Sequence, residues 1–105
     1  QPFFAYVAFT SPHDPRLKHP DCGKHYEADT ITLPINFLPR HPFDTGDMNV
    51  RDEILRPVPR TEEAIKKEIA DYYGMISEVD TQIGRVLQAL QESGQLDNTI
   101  LVFAC

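Results

Sequence analysis

The stretch Pro2-Phe3-Phe4-Ala5-Tyr6-Val7-Ala8-Phe9-Thr10-Ser11-Pro12-His13-Asp14-Pro15 runs seven apolar residues, rich in aromatics, into a polar turn punctuated by prolines. The apolar run has strand length and no polar alternation, which predicts a β-strand over residues 3–9 buried on both faces. In a parallel α/β sheet the residues just past a strand's carboxyl end line the ligand crevice, so His13 becomes the first candidate functional side chain. Pro12 and Pro15 restrict the backbone on either side of His13-Asp14, leaving the imidazole little entropy to lose on binding. Without such a role, His13 is an ordinary surface-loop histidine.

At the other end of the sequence, Thr99-Ile100-Leu101-Val102-Phe103-Ala104 repeats the apolar character after the turn-like Leu96-Asp97-Asn98, predicting a second buried strand over 99–104. Between the two, Ile65, Ile69, Tyr72, Tyr73, Ile76, Val79, Ile83, Val86, Leu87 and Leu90 recur at steps of three and four. That period predicts an amphipathic helix over 62–93. Thr61 suits its N-cap, Glu62 and Glu63 sit at the positive end of its dipole, and Gly94 suits a left-handed residue after its last turn. Gly74 and Gly84 fall inside the pattern at about 1 kcal/mol each against Ala, marking places for a bend or a close neighbour. Strand, crossover with a long helix, and strand make a βαβ unit with parallel strands and a right-handed connection, so the class is α/β.

Residues 10–60 hold eight of the nine prolines and all four histidines, with short helical possibilities only around Lys18–Tyr26 and Val50–Leu55. An excursion of this length and composition inside a compact domain is usually a functional loop. No internal repeat or low-complexity tract is present.

The pattern is too small for its parts. A helix over 62–93 is roughly 48 Å long, against a diameter near 34 Å for a compact domain of this length. Two strands that are apolar on both faces also require helices on both sides and further strands at their edges, which this sequence does not supply. The 105 residues therefore read as an internal segment of a larger domain, and alone they should expose apolar surface and associate.

With 41% hydrophobic and 25% charged residues, the chain has a globular composition. Sixteen acids against ten bases give a net charge of −6 with no basic stripe, which argues against a nucleic-acid partner. The longest apolar run is far below the roughly 20 residues of a membrane span, and no targeting segment is visible. Gln1, rather than Met, stands first, which leaves room for a signal peptide upstream. Cys22 and Cys105 do not fix a redox compartment.

His19-x2-Cys22-x2-His25 offers three zinc-type ligands within seven residues, but it lacks a fourth partner and matches no standard finger spacing, so a solvated turn or short helix is the better reading. Nothing local lowers the pKa of Cys22 or orients a base beside it, which argues against a nucleophile. Asp80 and Arg85 suit surface or loop-anchoring contacts, and Tyr72-Tyr73 suits core packing. Asp44, Asp47, Asp52 and Glu53 match no calcium loop and read as solvated.

Taken together, the segment ending in Pro12-His13, the linker pieces Leu33-Pro34-Ile35-Asn36-Phe37-Leu38-Pro39, His41-Pro42-Phe43-Asp44 and Arg51-Asp52-Glu53, the helix pieces Tyr72-Tyr73-Gly74-Met75-Ile76 and Asp80-Thr81-Gln82-Ile83-Gly84-Arg85, and the closing Asp97-Asn98-Thr99-Ile100-Leu101-Val102-Phe103 resemble the sulfatase family of the alkaline-phosphatase-like superfamily. The resemblance covers essentially the whole chain. It implies a partial alkaline-phosphatase-like fold in which strand 3–9, loop 10–60, helix 62–93 and strand 99–104 form an internal segment (residues 1–105) of a sulfatase catalytic domain. The implied activity is hydrolysis of a sulfate ester or sulfamate by a formylglycine made from a Cys/Ser-x-Pro-x-Arg motif, with a divalent cation, usually calcium.

That motif is absent, and Cys22 is followed by Gly23-Lys24-His25, which departs from it at the Pro and Arg positions. Formylglycine and metal ligands are therefore expected outside this chain, and none of these residues is assigned to metal. His13 alone matches a family active-site position, the histidine that hydrogen-bonds the sulfate group. It is accordingly the one expected catalytic and substrate-binding residue. The implied partners are a sulfated small molecule or carbohydrate and the remainder of the sulfatase domain, with no membrane; the implied location is periplasmic or secreted. A phosphatase or phosphonate hydrolase on the same fold is the alternative within catalysis. A non-catalytic module descended from a sulfatase segment is the alternative outside it.

Overall fold

The central element of the computed structural model, which describes residues 2–17, 25–46, 49–51 and 54–104, is the single α-helix α1, Glu62–Glu92. Local chemistry fixes both of its ends. Thr61 is extended at φ −88° and ψ 152°, and its hydroxyl oxygen accepts a bond from the Ala64 N–H at 3.1 Å, satisfying one of the first free donors. At the far end Gly94 takes φ +68°, where a side chain is disfavoured. Its N–H donates to the Gln91 carbonyl and the Gln95 N–H donates to the Leu90 carbonyl, both at 3.0 Å, so two of the last free acceptors are satisfied. Neither Gly74 nor Gly84 interrupts the helix. Gly74 is buried on the packing face, whereas a methyl group added at Gly84 would meet open space.

The core is confined to the N-terminal half of α1. Ala70, Gly74 and Met75 are buried there, Met75 to 2% exposure, under Ile31 and the short 3-10 turn Ala28–Thr30. Tyr26 fastens this part of the loop from the side. Its ring meets Tyr73 edge-on at 5.5 Å, and its hydroxyl lies 3.1 Å from the Ser77 hydroxyl. Farther along the same stripe Ile76 and Val86 are exposed. A second 3-10 turn, Leu96–Asn98, follows the cap.

Among the described residues a 3-10 turn at Ala28–Thr30 follows the helical possibility at 18–26. Residues 18–24 themselves lie outside the description, as do 52–53 within the possibility at 50–55. Residues 3–9 and 99–104, expected as strands, form no ladder with each other or with any other described segment. The reason is physical: a strand exists through its neighbour's hydrogen bonds, and among the described residues no third segment templates one. Both segments lie open, with Phe4 exposed to 90% and Ile100 to 93%. The molecule is accordingly elongated, 56 × 31 × 23 Å, with a radius of gyration of 18.5 Å, whereas a compact chain of this length has about 13 Å. Helix α1 supplies about 46 Å of the long axis.

Candidate functional site

His13 lies in the turn that follows residues 3–9. Its N–H donates to the Thr10 carbonyl at 3.0 Å, folding the backbone back, and two residues beyond Pro15 the Leu17 N–H donates to the Pro15 carbonyl at 2.8 Å. The ring is 73% exposed, and its Nδ1 lies 2.8 Å from the Asp14 carbonyl oxygen. A carbonyl oxygen only accepts, so Nδ1 carries the proton and donates. The Asp14 carboxylate oxygen stands 3.9 Å from the same nitrogen. Nε2 is left as the nitrogen available to a ligand. With Nδ1–H committed, it is a lone pair on the neutral ring and a donor on the imidazolium.

Three residues past His13, Arg16 crosses to α1. Its Nη1 donates to Glu68 Oε2 at 3.2 Å, and its guanidinium carbon stands 5.3 Å from the centre of the Tyr72 ring. The other oxygen of the same carboxylate, Oε1, accepts from Arg56 Nε at 2.6 Å and is also bridged by Arg56 Nη2. Glu68 is itself buried, at 8% exposure. An unpaired carboxylate there would cost several kcal/mol, so the two arginines are what make its burial tolerable. Arg16 Nε is buried and has no hydrogen-bond partner among the described residues.

None of these three charged residues is conspicuous in a reading of apolar periodicity. A signal was nevertheless present: Glu68 falls three residues after Ile65 and four before Tyr72, on the apolar stripe itself, where a carboxylate requires a cation. Tyr72 and Tyr73, expected as core, instead receive the loop: one lies beneath Arg16 and the other against Tyr26. Arg85 does anchor locally, donating to Gln82 at 2.7 Å on its own helix.

A second concavity, of about 500 Å³, is lined by Arg40, His41, Phe43, Asp44, Arg56 and Arg60. The Arg60 N–H donates to the Pro39 carbonyl at 2.9 Å. His41 Nδ1 donates to the Phe43 carbonyl at 2.5 Å, and Asp44 accepts from the Gly46 N–H at 2.8 Å.

Among the described residues no group of three His, Cys, Asp or Glu side chains could hold a metal ion. His19 and Cys22 of the zinc-like spacing lie outside the described residues, as do Asp47, Asp52 and Glu53. The residues on view thus do not fit a metal or formylglycine centre, and no chemical step is derived through one. No helix among the described residues is long and apolar enough to cross a membrane.

The profile of the sulfatase family matches residues 1–104, and the chain belongs to that family. It is 31% identical over 103 residues to an arylsulfatase of Clostridium perfringens and 34% identical over 113 residues to a sulfatase of Formosa agariphila. These matches cover 98% and 97% of this chain but 21% of each relative. It is also 28% identical over 119 residues to a multifunctional alkaline phosphatase superfamily protein of Trinickia caryophylli, covering 98% of this chain and 23% of that protein. The chain thus spans about a fifth of the length of the curated relatives it matches. Membership in the family implies a metal ion and a formylglycine in the working enzyme. No solved structure gives a significant match.

Proposed function

We propose that this chain is one piece of the catalytic domain of a sulfuric ester hydrolase, and that His13 contacts the sulfate group of the substrate. The supporting observation is the bond from His13 Nδ1–H to the Asp14 carbonyl, which leaves Nε2 of a mostly exposed ring free for a ligand. In the imidazolium form Nε2–H donates a charge-assisted bond to a sulfate oxygen and stabilises the negative charge that builds there as sulfur is attacked. The nucleophilic formylglycine and a divalent cation, calcium in this reading, are held by residues outside this chain. In the complete domain residues 3–9 and 99–104 join a parallel sheet of the alkaline-phosphatase-like type, connected by loop 10–60 and α1. The substrate is a sulfated small molecule or carbohydrate.

The test is turnover of 4-nitrophenyl sulfate and 4-nitrophenyl phosphate by the full-length protein. Sulfate is expected to be the better substrate, and His13→Ala to lower kcat on it by about 10²-fold or more, the usual loss when one donor to a developing oxyanion is removed. Unchanged sulfate turnover in His13→Ala would refute the assignment. Preference for phosphate would favour a phosphatase or phosphonate hydrolase of the same superfamily, a reading supported by the similarity to the Trinickia caryophylli protein. The 105-residue chain on its own is expected to turn over neither ester.

A further inference from the structure

We infer that Glu68, gripped by Arg16 and Arg56, is a positioning residue that holds His13 in its working place. The inference rests on the reading of His13 given above and adds to it the device that aims the ring.

Three observations carry it. First, one buried carboxylate ties down both ends of the proline-rich excursion: its Oε2 takes Arg16, near the start of loop 10–60, and its Oε1 takes Arg56, near the end. Both ends are thereby referred to a single turn of a capped helix. Second, the tether reaches His13 by a short, stiff path, because only Asp14 and Pro15 separate it from Arg16, and Pro15 fixes its own φ. Third, Arg16 is held in two directions at once, by the carboxylate at 3.2 Å and by the Tyr72 ring at 5.3 Å, which sets the plane as well as the position of its guanidinium.

Stability alone does not account for the arrangement. Buried ion pairs of this kind are often no more stabilising than apolar residues of the same volume, so the better account is the definition of a unique geometry. A donor about 1 Å out of place costs on the order of 10²-fold in rate, which is the scale of effect at stake.

The experiment uses the full-length enzyme and 4-nitrophenyl sulfate in a double-mutant cycle. Glu68→Gln is expected to lower kcat by about 10- to 100-fold with a smaller change in KM. In the His13→Ala background the same change is expected to cost less than about twofold, because the ring it serves is gone. Should Glu68→Gln fail to fold, Arg16→Lys, which keeps the charge and loses the planar fork, enters the same cycle with the same expectation. Arg56→Lys, farther from His13 along the chain, is expected to cost less than Arg16→Lys.

Equal fold-losses in both backgrounds would overturn the positioning role, leaving a purely structural ion pair. So would an unchanged kcat for both Glu68→Gln and Arg16→Lys, or a larger loss from Arg56→Lys than from Arg16→Lys. If His13→Ala itself leaves sulfate turnover intact, the proposed function fails first, and the two failures are told apart.

Discussion

The bond that His13 makes to its neighbour's carbonyl decides what its other nitrogen can do. Because Nδ1–H is committed to Asp14, loss of the ring's second proton turns Nε2 from donor to acceptor, and an acceptor facing a sulfate oxygen repels it. A glutamine places an amide N–H near the position of Nε2 and does not titrate. His13→Gln should thus retain more kcat/KM on an aryl sulfate than His13→Ala in the full-length enzyme, and equal losses in the two variants would contradict a donor role for Nε2. His13 drew attention in the sequence because it follows a run of strand-like composition, a position with meaning in any parallel sheet. Glu68 did not, because counting apolar residues along a helix passes over the one stripe position that is charged. Its partners lie 12 and 52 residues away, at distances that sequence spacing does not encode.

Helix α1 came through from sequence to structure within one residue because its determinants are local: a threonine, two glutamates, a period and a glycine. Thr61→Ala should cost about 1 kcal/mol of helix stability by stranding the Ala64 N–H. Gly84→Ala should return about the same amount, since the added methyl meets nothing in this chain and alanine loses less backbone entropy than glycine. Far-UV circular dichroism of the 105-residue chain through a thermal ramp reads both, with opposite signs expected. A lower helicity in Gly84→Ala would contradict the open space found around that position. The would-be strands 3–9 and 99–104 present the opposite case. Their apolar content is as plain as the helix stripe, but pairing is a property of two segments, and the information for the second lies elsewhere.

Across the whole molecule, apolar side chains from Phe3 to Phe9 and from Ile100 to Phe103 stand in the open at the two ends of the sequence, and Ile76 and Val86 are exposed on α1. Exposed surface of that size on segments able to pair is a site for association. The isolated chain should sediment as oligomers, and Phe4→Lys combined with Ile100→Lys should shift it toward monomer; a monomeric wild-type chain at micromolar concentration would contradict this. The reading of the 105 residues as part of a larger sheet came from the mismatch between helix length and chain length, a geometric argument that needs no partner in view.

The backbone bond between Arg60 and Pro39 gives the stretch between them the form of a noose drawn shut at its base. Extra length fed into a noose enlarges the ring without dragging on the rope, and the entropic penalty of a longer ring grows only logarithmically. A tag or epitope spliced beside Gly46, an exposed bend at φ +86°, would therefore hang away from α1 while the histidine at the opposite end of the excursion keeps its station. That makes the bend a practical handle for labelling the parent enzyme while it works.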